Sequence, residues 1–198
     1  MIYFPNIERT EKNNGEIMIK FPADLIFVKS PTNLGGAIRW FQRSRGESKS
    51  WTNHTAGIGT VNNVVEAQTR VISTPFDEWR RGKEFQLWRT YDLDDDGRNE
   101  IAQYIESHIG NKYGYAKLIP HALDGLLGKV TGGNVYLFRR MLFLENYDIC
   151  SWLLAYGYHL KGLDFGADHR FVTPDDQLDY CMSHPQKWEK TYDSNPNH

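Results

Sequence analysis

Between Thr52 and Arg70 the chain reads as a strand, an Asn62-Asn63 turn and a second strand, and this hairpin constrains what the rest can fold into. The first strand, within Trp51-Thr52-Asn53-His54-Thr55-Ala56-Gly57-Ile58-Gly59, carries the run Ala56, Ile58 and Gly59, which calls for a central position where neighbours approach closely. In Val64-Val65-Glu66-Ala67-Gln68, period-two alternation puts Val65 and Ala67 on one side and Val64, Glu66 and Gln68 on the other. An imidazole and a carboxylate therefore sit on consecutive strands of an otherwise apolar hairpin. Paired as neighbours, those strands let Glu66 accept a hydrogen bond from the His54 ring.

The remaining pattern supplies partners for this hairpin. Ile17–Phe21 and Asp24–Val28 read as strands, with Ser30–Gly36 as a break and Ala37–Gln42 as one or two helical turns. Val71–Ser73 adds a short strand, and Thr74-Pro75-Phe76-Asp77-Glu78-Trp79 has the form of a helix start with Thr74 as N-cap. Glu84–Arg89 alternates like a half-buried strand. A helix capped near Asp96-Gly97 has the stripe Ile101, Tyr104, Ile105 and Ile109 and ends at Gly110. Residues 110–146 read as a glycine-rich insertion. Ile149–Leu160 is a compact helix with Cys150, Leu153, Leu154 and Gly157 on one face, and Thr173-Pro174-Asp175-Asp176 opens another. The tail beyond Trp188 is polar, with a frayed end expected. The expectation is a single α+β domain over residues 1–198. Its central antiparallel sheet has five to six strands flanked by helices, and the Cys-bearing helix packs on the His54 strand.

Composition narrows the partners. Net charge is −2 with both signs interspersed, which argues against a nucleic-acid or anionic-membrane surface. No apolar run approaches the roughly 20 residues of a membrane span, and the first residues lack a signal-peptide pattern. The two cysteines, Cys150 and Cys181, are expected to be reduced thiols, and the compartment cytoplasmic, with a bacterial or phage origin plausible. The oligomeric state is not legible.

The thiolate, not the thiol, is the nucleophile, and a helix N-terminus or a nearby imidazolium promotes it. Cys150 follows the loop-like Glu145-Asn146-Tyr147-Asp148 at a helix start. His54 suits the role of base, and Glu66 suits the group that orients it. Backbone N–H groups of that first turn, at Ser151 in particular, are candidates for an oxyanion site, and Tyr147 is a candidate hydroxyl donor.

Taken in order, Asp24-Leu25-Ile26-Phe27, His54 with Thr55-Ala56-Gly57-Ile58, Val65-Glu66-Ala67, and Cys150-Ser151 with Leu154-Ala155-Tyr156 resemble the circularly permuted papain-like hydrolases of the NlpC/P60 superfamily. The branch is that of YiiX/YebB-like proteins and lecithin-retinol acyltransferase, in which the His and the third polar residue precede the Cys. The resemblance spans roughly Pro22 to Leu178, and the Thr173-Pro174-Asp175-Asp176 ending shares it. It implies a permuted papain-like fold and a triad of Cys150, His54 and Glu66. The implied activity is cleavage of an amide, possibly of cell-wall peptide type, through an acyl-thioester, without metal or organic cofactor. Acyl transfer or lipid-ester hydrolysis, or a non-catalytic binding role on the same fold, are its alternatives. One departure stands out: the glycine that usually precedes the Asp24 position is Ala23 here.

Two stretches have metal-ligand residue types. Asp92-Leu93-Asp94-Asp95-Asp96-Gly97 resembles the start of a calcium loop, but position twelve is Gln103, and an acidic helix cap explains the run better. His159, His169 and His184 lack zinc-site spacing, so no metal is expected.

Overall fold

A six-stranded antiparallel sheet positions everything that follows. The computed structural model describes residues 9–11, 17–31, 36, 39, 50–112 and 150–195. In chain order the elements are β1 (Arg9–Glu11), β2 (Ile17–Ile19), β3 (Leu25–Val28), β4 (His54–Ile58), β5 (Asn63–Ala67) and β6 (Val71–Pro75). They continue as α1 (Phe76–Trp79), β7 (Phe85–Thr90), α2 (Asp95–Ser107), α3 (Cys150–His159), α4 (Pro174–Ser183) and β8 (Trp188–Asp193). The large sheet runs β6-β5-β4-β3-β7-β8, and β1 pairs with β2 separately. The α+β expectation and the strand count both hold.

Alternation along the strands builds a core on each face of the sheet. Leu25, Phe27, Val65 and Ala67 point to one side, where Ile101 and Ile105 of α2, Leu153 and Leu154 of α3 and Leu178 of α4 bury them. Ile26, Val28, Ala56, Ile58, Val64 and Leu87 point to the other, under Phe76 and Trp79 of α1 and Met18 of β2. Covering both faces explains why β3 and β5 are buried along their whole length. The Cys-bearing helix lies directly on β4. A methyl group at Gly57 would stand 2.9 Å from Ile105 Cδ1 and 3.3 Å from Leu154 Cδ1, so this glycine lets the helices rest on strand backbone.

Local signals explain several boundaries. Asp94, not Asp96, caps α2, its side chain accepting from Gly97 N–H at 2.8 Å. The acidic run is thus used as a cap. Thr173 and Asp176 form a reciprocal capping box at the start of α4, with Pro174 in the first turn. Asn62 takes a positive φ of 56° at the hairpin turn, a conformation asparagine tolerates. Ala23 takes φ 62°, where glycine would be unstrained, and this is the position where the family resemblance leads one to expect glycine. Its carbonyl accepts from the buried Tyr158 hydroxyl and its N–H donates to Ile58 O at 2.8 Å.

Three expectations need correcting. The helix expected at Thr74-Pro75 does begin there, as α1, but Pro75 and not Thr74 is its N-cap, with no side-chain cap bond, because Thr74 and Pro75 also end β6, paired opposite Val64 and Asn63. Strand β7 is almost wholly buried, because β3 and β8 flank it and both sheet faces are covered. The tail is not frayed over Trp188–Asp193, which pairs with β7 as an edge strand and buries Trp188 in the core. Cys181 is a fully buried core residue. The Ala37–Gln42 turns (apart from Arg39), the insertion from residue 113 onward and Tyr147 lie outside the described residues.

Candidate active site

The imidazole is held at the end of the sheet by the residues that precede it. Thr52 Oγ1 donates to the Val28 carbonyl at 2.9 Å, and Asn53 N–H reaches the same oxygen at 3.1 Å. Asn53 Oδ1 accepts from Ser30 N–H at 2.7 Å. These bonds fix where β4 begins, opposite Val28. Across β4 and β5, Ala56 opposes Glu66, which makes His54 the diagonal neighbour of Glu66 on the same face. The two side chains meet: His54 Nε2 lies 2.9 Å from Glu66 Oε2.

Glu66 is 3% exposed, so its charge has to be satisfied within the protein. Its Oε1 accepts from Gln68 Nε2 at 2.7 Å and Trp79 Nε1 at 2.9 Å, with Lys83 Nζ at 3.4 Å. Lys83 in turn sits over the Trp79 ring, 4.3 Å from its centroid. Burial pushes the carboxyl up, but His54, Lys83 and Trp79 outweigh it and hold Glu66 down at about 2. It is a carboxylate at any physiological pH.

Cys150 approaches from the helix side and hydrogen-bonds with His54. Glu66 occupies Nε2, which leaves Nδ1 as the nitrogen that faces the sulfur. Backbone N–H groups of Thr55 and Ser151 also donate to that sulfur. Burial alone would raise the thiol; the imidazolium charge, its hydrogen bond and these two amides outweigh burial and lower it. Burial likewise works against the imidazolium, but the Cys150 thiolate and the Glu66 carboxylate raise His54 well above its ordinary value. Each shift favours the ion pair, thiolate beside imidazolium. Both cysteines are free thiols.

A fully buried glutamine ties the two halves together. Gln177 accepts from Thr55 Oγ1 at 2.9 Å and donates to the Ser151 carbonyl at 3.1 Å. Thr55 and Ser151 are the residues whose amides reach the sulfur, so α4 braces β4 and α3 at the point where Cys150 and His54 meet. The capping box fixes the turn from which Gln177 projects.

Of the residues singled out in the sequence, Cys150, His54 and Glu66 come together, and Ser151 contributes its backbone N–H. Tyr147 is outside the described residues. Gln68, Trp79, Lys83 and Gln177 were not anticipated as members of the site. Gln68 shares the Glu66 face by alternation and was readable in principle; the others arrive through tertiary contacts that no local pattern announces.

No protein-family model matches the chain, and no curated protein matches it in sequence. Among solved structures it is similar to the metalloprotein YiiX of Escherichia coli O157:H7 (DUF1105), with a TM-score of 0.51. The identity is 19%, over 74% of this chain and 69% of that one. The likeness establishes a YiiX-like fold. Among the described residues, no helix is long and apolar enough to cross a membrane.

Proposed function

We propose that this protein is a cysteine hydrolase of permuted papain-like (NlpC/P60) type that cleaves an amide bond through an acyl-thioester. The observation that carries the reading is the continuous chain from Glu66 through His54 to Cys150, with Glu66 bound to the ring nitrogen opposite the thiol. The YiiX-like fold and the order of motifs in the sequence support it.

In this mechanism the Cys150 thiolate attacks the carbonyl carbon, forming a C–S bond as the carbonyl electrons move to oxygen. The Ser151 N–H, already directed at the sulfur, is placed to stabilise the developing oxyanion. The tetrahedral intermediate collapses, the C–N bond breaks, and His54 gives its Nδ1 proton to the departing amine. A water then attacks the thioester; His54 takes its proton, and the carboxylic acid leaves as the thiolate is regenerated. Glu66 stays ionised throughout, holding the ring in place and stabilising its cationic form.

The test is labelling of the thiol with iodoacetamide as a function of pH, read by intact mass. Wild type is expected to label at a rate that stays high from pH 8 to below neutrality. His54→Ala should behave as an ordinary or suppressed thiol, titrating near or above about 8.5. Equal rates at pH 7 in the two proteins would end the proposal. On an activated acyl ester, wild type should trap a mass adduct removable by hydroxylamine, and His54→Ala should turn over about 10²–10⁴-fold more slowly.

A further inference from the structure

The C-terminal end of α3 carries a second constellation, 9 residues along from the nucleophile in sequence and unrelated to it in chemistry. His159 is the last residue of the helix. Its Nδ1 lies 2.8 Å from Asp164 Oδ1, and its ring stacks on that of His169 with centroids 4.2 Å apart and planes at 30°. One ligand-type atom from each of the three side chains falls within 4.8 Å of the others. The sequence spacing of these histidines suggests nothing of the kind. The fold brings them together.

The backbone is built to hold this arrangement. Leu163 N–H donates to Tyr158 O at 3.2 Å and Gly162 N–H to His159 O at 2.9 Å, a Schellman closure with Gly162 at φ +74°. That closure reverses the chain and returns Asp164 alongside His159. A second turn, with Gly166 at φ +71°, carries the chain to His169. The His169 ring is packed edge-on against Tyr156 at 4.9 Å, and its side chain is only 15% exposed. His159 and Asp164 are more open, with side chains 43% and 53% exposed. One ligand is thus anchored, and two can adjust at the surface.

We propose that His159, Asp164 and His169 form a binding site for a borderline divalent cation of the zinc class. Two imidazoles and one carboxylate are a donor set that such ions take, whereas calcium and magnesium call for more oxygens. Zinc bonds of about 2.0–2.2 Å place tetrahedral ligand atoms about 3.4 Å apart, so small rotations of the two open side chains suffice. A cation here also sits at the negative end of the α3 dipole, which favours positive charge. Three protein donors leave a fourth position for water or an outside ligand. The site would staple the end of the Cys-bearing helix to the segment that leads into α4.

Zinc(II) and cobalt(II) titrations of the metal-free full chain test this. They are run in a Cys150→Ser background, so that the active-site thiol cannot supply the binding. One ion per chain is expected, with a cobalt visible spectrum of four- or five-coordinate type and a zinc-dependent rise in Tm. His159→Ala and His169→Ala should each weaken zinc binding at least about tenfold and remove the Tm rise, and Asp164→Asn should weaken it in the same direction. Circular dichroism of these variants verifies folding. Absence of zinc binding below about 100 μM in the Cys150→Ser protein would overturn the proposal. So would less than tenfold weakening in either histidine variant.

Discussion

Asp24 and Glu66 are both buried carboxylates on the central sheet, 0% and 3% exposed, and both are richly hydrogen-bonded. Asp24 accepts from Arg89 at 2.9 and 2.6 Å and from Phe21 N–H at 2.9 Å, with Arg98 at 3.5 Å. Its partners are guanidiniums that never lose their charge, and they lock β3 to β7 and α2. Glu66 has Lys83 and the Trp79 indole on one oxygen and a titratable imidazole on the other. Burial pushes Asp24 up against the pull of its arginines, whereas Glu66 is held down at about 2. A buried acid alone therefore says little about chemistry. What separates the two is the partner: guanidiniums at Asp24, and at Glu66 an imidazole that can exchange a proton and has Cys150 beyond it.

Five substitutions break or sharpen that contrast. Asp24→Ala strands two cationic side chains in the core and is expected to lower unfolding free energy by about 3–5 kcal/mol in urea titrations. The fraction still folded should alkylate at the wild-type rate. Glu66→Gln should instead leave a folded protein whose turnover falls about 10²-fold and whose iodoacetamide rate at pH 7 drops. The pH sign follows from the lowered carboxyl. Stability contributed by the His54–Glu66 contact is complete above about 4.5 and lost as pH falls towards about 2, so acid unfolding of Glu66→Gln should be less steep across that window. Wild-type-like acid unfolding would show that the contact contributes nothing. Gln177→Leu unpairs the Thr55 hydroxyl and the Ser151 carbonyl, with a stability loss of about 1–3 kcal/mol. It should also shift the alkylation profile to higher pH; a loss of stability with an unmoved profile would reduce Gln177 to scaffolding. The smallest effect is expected at Ala23. Ala23→Gly relieves the positive φ while losing a buried methyl, and should stay within about 1 kcal/mol of wild type. Ala56→Gly, on regular strand, should cost about 1 kcal/mol or more.

The hairpin was legible because its signals are local: alternation, small residues and an Asn-Asn turn place His54 and Glu66 on consecutive strands, and the register then sets them on one face. The Cys150 helix was legible for the same reason. Thr74-Pro75 and Thr173-Pro174 are nearly the same local message and a helix follows each, yet only Thr173 caps with its side chain, because β5 recruits Thr74 into a ladder. Strand β8 escaped notice since an edge strand needs little apolar alternation on its outer face, and β7 supplies its pairing. Gln177, Trp79 and the His159–Asp164–His169 group depend on contacts across long or turn-reversed stretches, which periodicity does not encode.

Gly57 has a consequence that reaches the chemistry. Because it presents no side chain, the separation between α3 and β4 is set by main chain on one side and by Leu154 on the other. The sulfur and the imidazole ride on those two elements, so their reach is gauged by a spacer of zero thickness. A methyl at 57 would first displace the movable ends of Ile105 and Leu154; anything larger becomes a wedge. A sensitive adjustment of the thiol–imidazole contact thus lies three residues from His54, at a position that carries neither side chain.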